Sequence, residues 1–259
     1  MPKKRRFSVL LTFDFDADSS TRGPYSGRPH EPVARSKGQF GVKVGLPRIL
    51  RVLDRHSIKS TFFVPGWTAE TYPDKVRQIV SRGHEIGAHG YRHENLAQLD
   101  SREGEGEIFR RPIERLVTVA GEKPLGFRAP DWEFSRHTTE NLLKFGFKYD
   151  SSLMDDDKPY VISRQGRPTG IMELPVAWLW DDWGIFETHR RSPNEAFDIW
   201  IQEFDALYAN KMPYLNITMH PQTIGRASRT AMLEKLINVM KRRGVTFCRC
   251  IDVVRETLP

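Results

Sequence analysis

The sequence predicts one α/β domain, spanning residues 1–259, whose parallel strands close as a (β/α) barrel. Three observations predict it. Strand and helix patterns alternate from end to end, with no repeat and no low-complexity linker between them, as in a parallel-stranded domain. A length of 259 residues is ordinary for one barrel. The residues able to do chemistry fall at the carboxyl ends of widely separated strands: Asp14 with Asp16, His89, Arg128 and His220. An open sheet would gather them at one switch point, whereas a barrel draws its active face from many strand ends.

The elements follow in order. Residues 7–13, FSVLLTF, are aliphatic, aromatic and β-branched, and read as a first strand. Residues 46–56 carry Leu46, Ile49, Leu50 and Leu53 at helical spacing, with Pro47 in the first turn. Residues 60–64 are a short buried strand stopped by Pro65-Gly66. A helix over 74–82 ends at Gly83, and a strand over 85–88 leads into HGYRH. A polar-faced helix over 103–119 is followed by Gly121 and Pro124, then by a strand over 125–128. A helix over 138–145 is closed by Gly146. Strands over 172–176, 215–219 and 245–248 alternate with helices over 193–209 and 228–243. Two stretches fall outside the pattern. Residues 17–45 read as a long loop on the active face, and residues 155–170 as polar and turn-rich; long loops there serve as lids or contact surfaces, or as plain solvent-exposed insertions.

Composition excludes several classes. No stretch approaches the ~20 apolar residues of a membrane span. The basic start, MPKKRRF, precedes an apolar run that is too short for a secretion signal and ends in Asp14, so the protein is expected to be cytoplasmic. Cys248 and Cys250 sit too close along a strand to pair and read as free thiols. The net charge of +7 is scattered, with dense basic runs only at residues 3–6 and 241–243. Without interleaved aromatics these read as solvated faces, not as a nucleic-acid patch.

The chemistry concentrates in TFDFD (residues 12–16) and HGYRH (residues 89–93). Side chains two apart on a strand point the same way, and two carboxylates so close need a cation between them. One can ligate while the other takes a proton from water. The histidines stand four apart, which puts them on one face of a helical turn. One carboxylate and two imidazoles leave a coordination position open, as a catalytic metal requires. A capping role for the aspartates, and a surface or buried neutral state for the histidines, are the structural alternatives. His220, at a strand end before Pro221, is a candidate general acid, with a third ligand or a packed core histidine as alternatives. Arg128 is a partner for Asp14 or a purely structural salt bridge. Asp181 and Asp182 lie among Trp178, Trp180 and Trp183. A carboxylate beside His220 would favour its protonated form, and the indoles would wall a cavity. His84 reads as structural. There is no G-x-S-x-G elbow and no HExxH.

These motifs resemble those of the polysaccharide deacetylase family, over residues 9–221. The resemblance implies an irregular (β/α) barrel. It makes Asp14 the catalytic base, Asp16 with His89 and His93 the ligands of one divalent metal, zinc by default, and Arg128, in FRAP, the partner of the base. His220, in TMH, becomes the acid, and Asp182, in Asp181-Asp182-Trp183, belongs to a fourth motif. Pro130, Trp132, Trp180 and Trp183 are the substrate-contact candidates. The usual first motif has adjacent aspartates followed by Gly; here Phe15 intervenes and Ala17-Asp18 follow. TFDFDAD, SKGQFG, GHEIGAHGYRHEN and APDWEFS look most like a cytoplasmic subgroup. It contains cyclic imide hydrolases and atypical peptidoglycan-deacetylase-like proteins, described as homotetramers with closed-over sites. A related allantoinase branch is metal-independent and lacks the full ligand set, which this chain retains. The expected activity is metal-dependent hydrolysis of a non-peptide C–N bond in a cyclic imide or small linear amide. The alternative is deacetylation of N-acetylglucosamine in peptidoglycan or chitin, and the second alternative is a non-catalytic metal- or sugar-binding barrel.

Overall fold

A computed structural model describes residues 7–19, 32–99 and 101–257. Among the described residues nine strands form one sheet: β1 (Ser8–Asp14), β2 (Thr61–Val64), β3 (Glu85–Ala88), β4 (Gly126–Phe127), β5 (Tyr149–Asp150), β6 (Tyr160–Arg164), β7 (Arg167–Glu173), β8 (Tyr214–Met219) and β9 (Thr246–Cys248). Their order is β6-β7-β5-β4-β3-β2-β1-β8, with β9 also on β1. Every pairing is parallel except the β6–β7 hairpin. β8 pairs along one edge of β1, and the other edge is shared: its lower half (Ser8, Val9, Leu10) meets β9 and its upper half (Thr12, Phe13, Asp14) meets β2.

β7 and β8 do not join as a ladder. The seam is closed by Asn216, whose amide donates to Ser151 Oγ (3.1 Å) and to the Pro175 carbonyl (3.3 Å), by the Tyr214 hydroxyl on the same carbonyl, and by a single bridge between Asp181 and Thr218. The barrel is therefore irregular, as expected.

Strand alternation sorts the core. Val9, Leu11, Phe13, Phe62, Val64, Phe127, Leu215 and Ile217 pack outward under the helices. Leu10, Phe63, Tyr149, Met172, Leu174 and Tyr214 fill the lower interior with Cys250, Ile251, Val253 and Val254. Those last four belong to a C-terminal helix, Cys250–Thr257, which plugs the floor and was not anticipated from the sequence. Interior glycines make room for the rings: a Cβ on Gly126 would lie 1.9 Å from Tyr149 Cζ, and one on Gly87 2.5 Å from Phe63 Cδ1.

The alternating helices fall close to their expected places: Leu46–His56, Pro73–Ser81, Arg102–Ala120, Thr138–Lys144, Pro193–Ala209 and Ala227–Arg242. Three segments differ. Of the expected loop 17–45, residues 20–31 lie outside the described residues, but Pro32–Phe40 is an α-helix running into a π-helical turn, Gly41–Gly45. Gly38 and Gly45 in this segment allow backbone-to-backbone packing. The polar stretch 155–170 contributes the hairpin, whose turn places Gln165 (φ 51°) and Gly166 (φ 75°) in the left-handed region. Pro65-Gly66 does stop β2, but it also opens a further short helix, Gly66–Thr71. Among the described residues no helix is long and apolar enough to cross a membrane.

Candidate active site

The upper rim of the barrel interior is polar because the inward positions of successive strands end in Asp14, His89, Arg128, Ser151 and His220. Asp14 closes β1, and its Oδ1 accepts a hydrogen bond from Arg128 Nη1 at 2.7 Å. Arg128 is fully buried. Its Nε donates to the Ser151 carbonyl (2.9 Å), its Nη2 to Ser151 Oγ (2.8 Å) and Thr12 Oγ1 (3.1 Å), and its Cζ stands 4.2 Å from the Phe63 ring centroid. Both alternatives weighed for this arginine are realised: it is a structural hub that also fixes one Asp14 oxygen. Burial, the largest single influence, pushes the Asp14 carboxyl up, but the surrounding positive charge, Arg128 first, together outweighs it and holds the carboxyl below the usual carboxylate range.

Asp16 lies beyond the end of β1, where one further ladder bond, Phe15 N to Phe63 O (2.8 Å), carries the chain upward. The reading of Asp14 and Asp16 as neighbours on one face holds, since both line one cavity. The reason given for the histidines does not. HGYRH is not helical: Gly90 (φ 64°) and His93 (φ 61°) are left-handed, and the segment is a tight turn after β3. Glu94 holds that turn by accepting from the backbone N–H groups of Tyr91 (2.9 Å) and Arg92 (2.8 Å). The rings nevertheless meet, with centroids 5.1 Å apart and planes at 81°.

His89 Nδ1 donates to the Arg128 carbonyl at 2.8 Å. This fixes the tautomer and turns an unprotonated Nε2 inward, the orientation expected of a ligating imidazole. That Nε2 and Asp16 Oδ1 are buried atoms without a hydrogen-bond partner, 3.5 Å apart. Asp16, His89 and His93 each bring one donor atom within 4.8 Å of the others. Two nitrogens and one oxygen, two of these atoms orphaned and all converging, fit a divalent ion of the zinc type.

His220 follows β8, and its Nδ1 lies 2.7 Å from Asp182 Oδ1. Asp182 also accepts from the His220 backbone N–H, at 3.1 Å to each oxygen. Burial works against charge on this imidazole; Asp182, then Asp181 and Asp16, outweigh it and keep His220 protonated well above its ordinary range. Its Nε2 faces Asp14 Oδ2 and Asp16 Oδ2, each at 3.9 Å.

The cavity between these groups has a volume of about 330 Å³, the size of a small-ligand site. Trp132 and Trp183 line it as expected. Trp132 gets there through two consecutive left-handed residues, Asp131 (φ 56°) and Trp132 itself (φ 59°). Trp180 does not line it: a one-turn 3-10 helix over Trp178–Trp180 breaks the strand alternation, turns Trp180 into the core and leaves Trp178 on the cavity wall, 4.6 Å from Trp132 between ring centroids. Pro130 is buried against Gly90 and supports the HGYRH turn instead of lining the cavity. Sequence reasoning missed Arg92, Asn95, Gln98, Asp131 and Gln222, which complete the wall. Their positions inside or just after HGYRH, FRAPDW and the TMH tripeptide were the available signal. His84 is structural, as read: buried, its Nδ1 accepting from Ser60 N (3.1 Å), and pushed by burial down to about 4. Both cysteines are free.

A family model described as polysaccharide deacetylase matches residues 2–149. A peptidoglycan deacetylase of Helicobacter pylori is 34% identical, covering 96% of this chain and 96% of that protein. The chain belongs to the polysaccharide deacetylase family. It is accordingly a hydrolase of carbon–nitrogen bonds other than peptide bonds. A peptidoglycan deacetylase-like protein of Gibberella zeae is 30% identical over 98% of this chain and 87% of its own length. Among solved structures, a Mycobacterium smegmatis protein provisionally assigned as a polysaccharide deacetylase superposes with a TM-score of 0.87 at 36% identity, over 99% of this chain and 91% of that one. The Puue allantoinase superposes with a TM-score of 0.86 at 26% identity, over 98% and 91%.

Proposed function

We propose that this member of the family is a metal-dependent deacetylase of N-acetylated amino sugars of the peptidoglycan type. The names of the relatives with full-length similarity support this over the cyclic imide reading drawn from the sequence motifs. One arrangement carries the mechanism: a carboxylate held ionised and an imidazole held protonated face each other at 3.9 Å beside three convergent ligand atoms.

Asp16, His89 and His93 would hold one divalent ion, zinc by its donor set. Such an ion supplies charge stabilisation at the amide oxygen and acidifies water. Asp14 accepts the proton of the attacking water through Oδ2, while Arg128 occupies Oδ1 and keeps the base oriented and unprotonated beforehand. Water adds to the acetyl carbon, and the carbon–nitrogen bond breaks. His220 delivers its Nε2 proton to the departing amine, and Asp182 stabilises the imidazolium before transfer. The products are acetate and a free amino group. Trp132, Trp178 and Trp183 offer flat apolar faces suited to a sugar ring.

The structural likeness to an allantoinase favours a second reading, hydrolysis of a cyclic amide with the same residues, in which the leaving nitrogen stays tethered to the product. One assay separates them. Purified protein is loaded with Zn²⁺, and acetate release from N-acetylglucosamine oligomers and peptidoglycan fragments is compared with ring opening of succinimide-type compounds and allantoin, with and without chelator. Chelator-sensitive acetate release is the expected result. Ring opening alone selects the second reading, and turnover unaffected by chelator removes the metal from the mechanism.

A further inference from the structure

Gln222 stands two residues beyond His220, at the start of a one-turn helix, Pro221–Ile224. Its Nε2 donates to Asp16 Oδ2 at 3.3 Å. This divides the labour of the Asp16 carboxylate. Oδ2 is held by the amide, and Oδ1 is left unpartnered and aimed at His89 Nε2. Asp16 also has its backbone secured, its carbonyl accepting from Thr68 Oγ1 at 2.7 Å.

The helical insertion, residues 32–45, bears on both Asp16 and Gln222. A Cβ on Gly38 would lie 2.2 Å from the Ala17 carbonyl oxygen and 2.8 Å from Asp18 Cα. Arg35 and Tyr72 bond the Asp18 carboxylate at 3.3 Å and 2.7 Å. On the other flank, a Cβ on Gly41 would meet Gln222 N at 3.0 Å, its Cβ at 3.1 Å and its Oε1 at 3.2 Å. A Cβ on Gly45 would meet the Pro221 carbonyl oxygen at 2.0 Å. Glycine is required along this face because the insertion touches, without any intervening side chain, the two backbone stretches that follow Asp16 and His220.

We propose that Gln222 is a positioning residue for the metal ligand Asp16, and that the 32–45 insertion sets it by packing Gly41 against it. The insertion is then a buttress behind the ligand set, and its contribution to activity runs through metal affinity. The inference rests on the metal reading above. It follows the general behaviour of outer-shell partners, whose loss weakens metal binding by roughly 10–100-fold.

The experiment is a Co²⁺ titration of metal-free protein followed by the visible d–d spectrum, with thermal unfolding of the same metal-free samples. Gln222→Met keeps side-chain length and removes the donor; it is expected to weaken Co²⁺ binding by about 10-fold or more and to alter the d–d band, with the unfolding midpoint unmoved. Gly41→Ala, which must push Gln222 by a few tenths of an ångström, is expected to weaken binding in the same direction, and the double variant to lose little beyond Gln222→Met. Co²⁺ affinity and spectrum unchanged in Gln222→Met would overturn the proposal while leaving the metal reading intact. Fully additive losses in the double variant would overturn the role given to the insertion. A wild-type protein that binds no Co²⁺ would remove the metal reading and this inference together.

Discussion

Asp14 and Asp16 sit two positions apart and are given opposite tasks by their neighbours. Arg128 takes one oxygen of Asp14 and leaves the other facing His220; Gln222 takes one oxygen of Asp16 and leaves the other facing His89. Asp14→Asn therefore preserves the ligand set and removes the base. It is expected to retain one equivalent of Zn²⁺ by elemental analysis and to lose orders of magnitude in kcat; loss of the metal would mean that the two aspartates have been assigned the wrong way round. These residues were legible in the sequence because charge at the end of a buried strand needs a reason. Trp180 was misassigned for a reason of the same scale. Three indoles at 178, 180 and 183 share a composition signal, and only the local 3-10 turn decides which of the first two faces the cavity. Gln222 carries no charge and is buried beside the site, and its place two residues after His220 was the one signal in the sequence that set it apart from other amides.

At the scale of the element, β1, β2, β3 and β8 were readable because the barrel buries both of their faces, whereas β5 and the half-exposed β6 were not anticipated and the strand expected over 172–176 ends at Glu173 as the close of β7. β1 is apolar outward and changes from Leu10 through Thr12 to Asp14 inward, so the polarity gradient along one strand already marks floor and rim. The turn after β3 was not readable. Four-residue spacing of histidines implies a helical face only where the backbone is helical, and Gly90 with the Glu94 carboxylate selects a left-handed turn instead. The short strands β4 and β5 depend on their neighbours for definition, and Gly126 marks where a ring crosses beneath the sheet. Gly126→Ala would drive a methyl into the Tyr149 ring, whose hydroxyl is anchored to Glu85 at 2.8 Å and cannot simply swing away. The expected cost is about 1–3 kcal/mol or more of stability, read as a lowered denaturant midpoint. Gly166→Ala, in the exposed hairpin turn, meets no atom and carries only the strain of its left-handed backbone. A midpoint for Gly126→Ala no lower than that of Gly166→Ala would show that the interior yields around the added methyl.

The whole molecule adds a property that no single motif announces. β5 and β7 are neighbours, and their register sets Asp150 directly beside Glu173. Both are fully buried. Glu173 Oε1 accepts from the backbone N–H groups of Ser152 (2.9 Å) and Leu153 (3.0 Å), so its other oxygen is the one available to carry a proton toward Asp150. Burial, then the charge of Asp150, pushes the Glu173 carboxyl well above its usual range. Burial pushes Asp150 up to about 7, a rise that Glu173 and the nearby Arg128 only partly oppose. Above pH ~5 the unfolded chain holds no proton on either group, while the folded protein still binds them. The folded state thus binds more protons, and stability falls as pH rises from the unfolded carboxylate range through about 7. Asp150→Asn replaces the titrating partner with a permanent donor to Glu173. The variant is expected to unfold at nearly the wild-type urea concentration near pH ~5 and at a higher one near pH ~8, with a difference on the order of a few kcal/mol. The comparison is made on chelator-treated protein, so that metal-ligand protonation contributes equally to both curves. Parallel curves across that range would show that the fold pairs these carboxyls without sharing a proton between them, and the pH dependence would then have to arise elsewhere in the barrel.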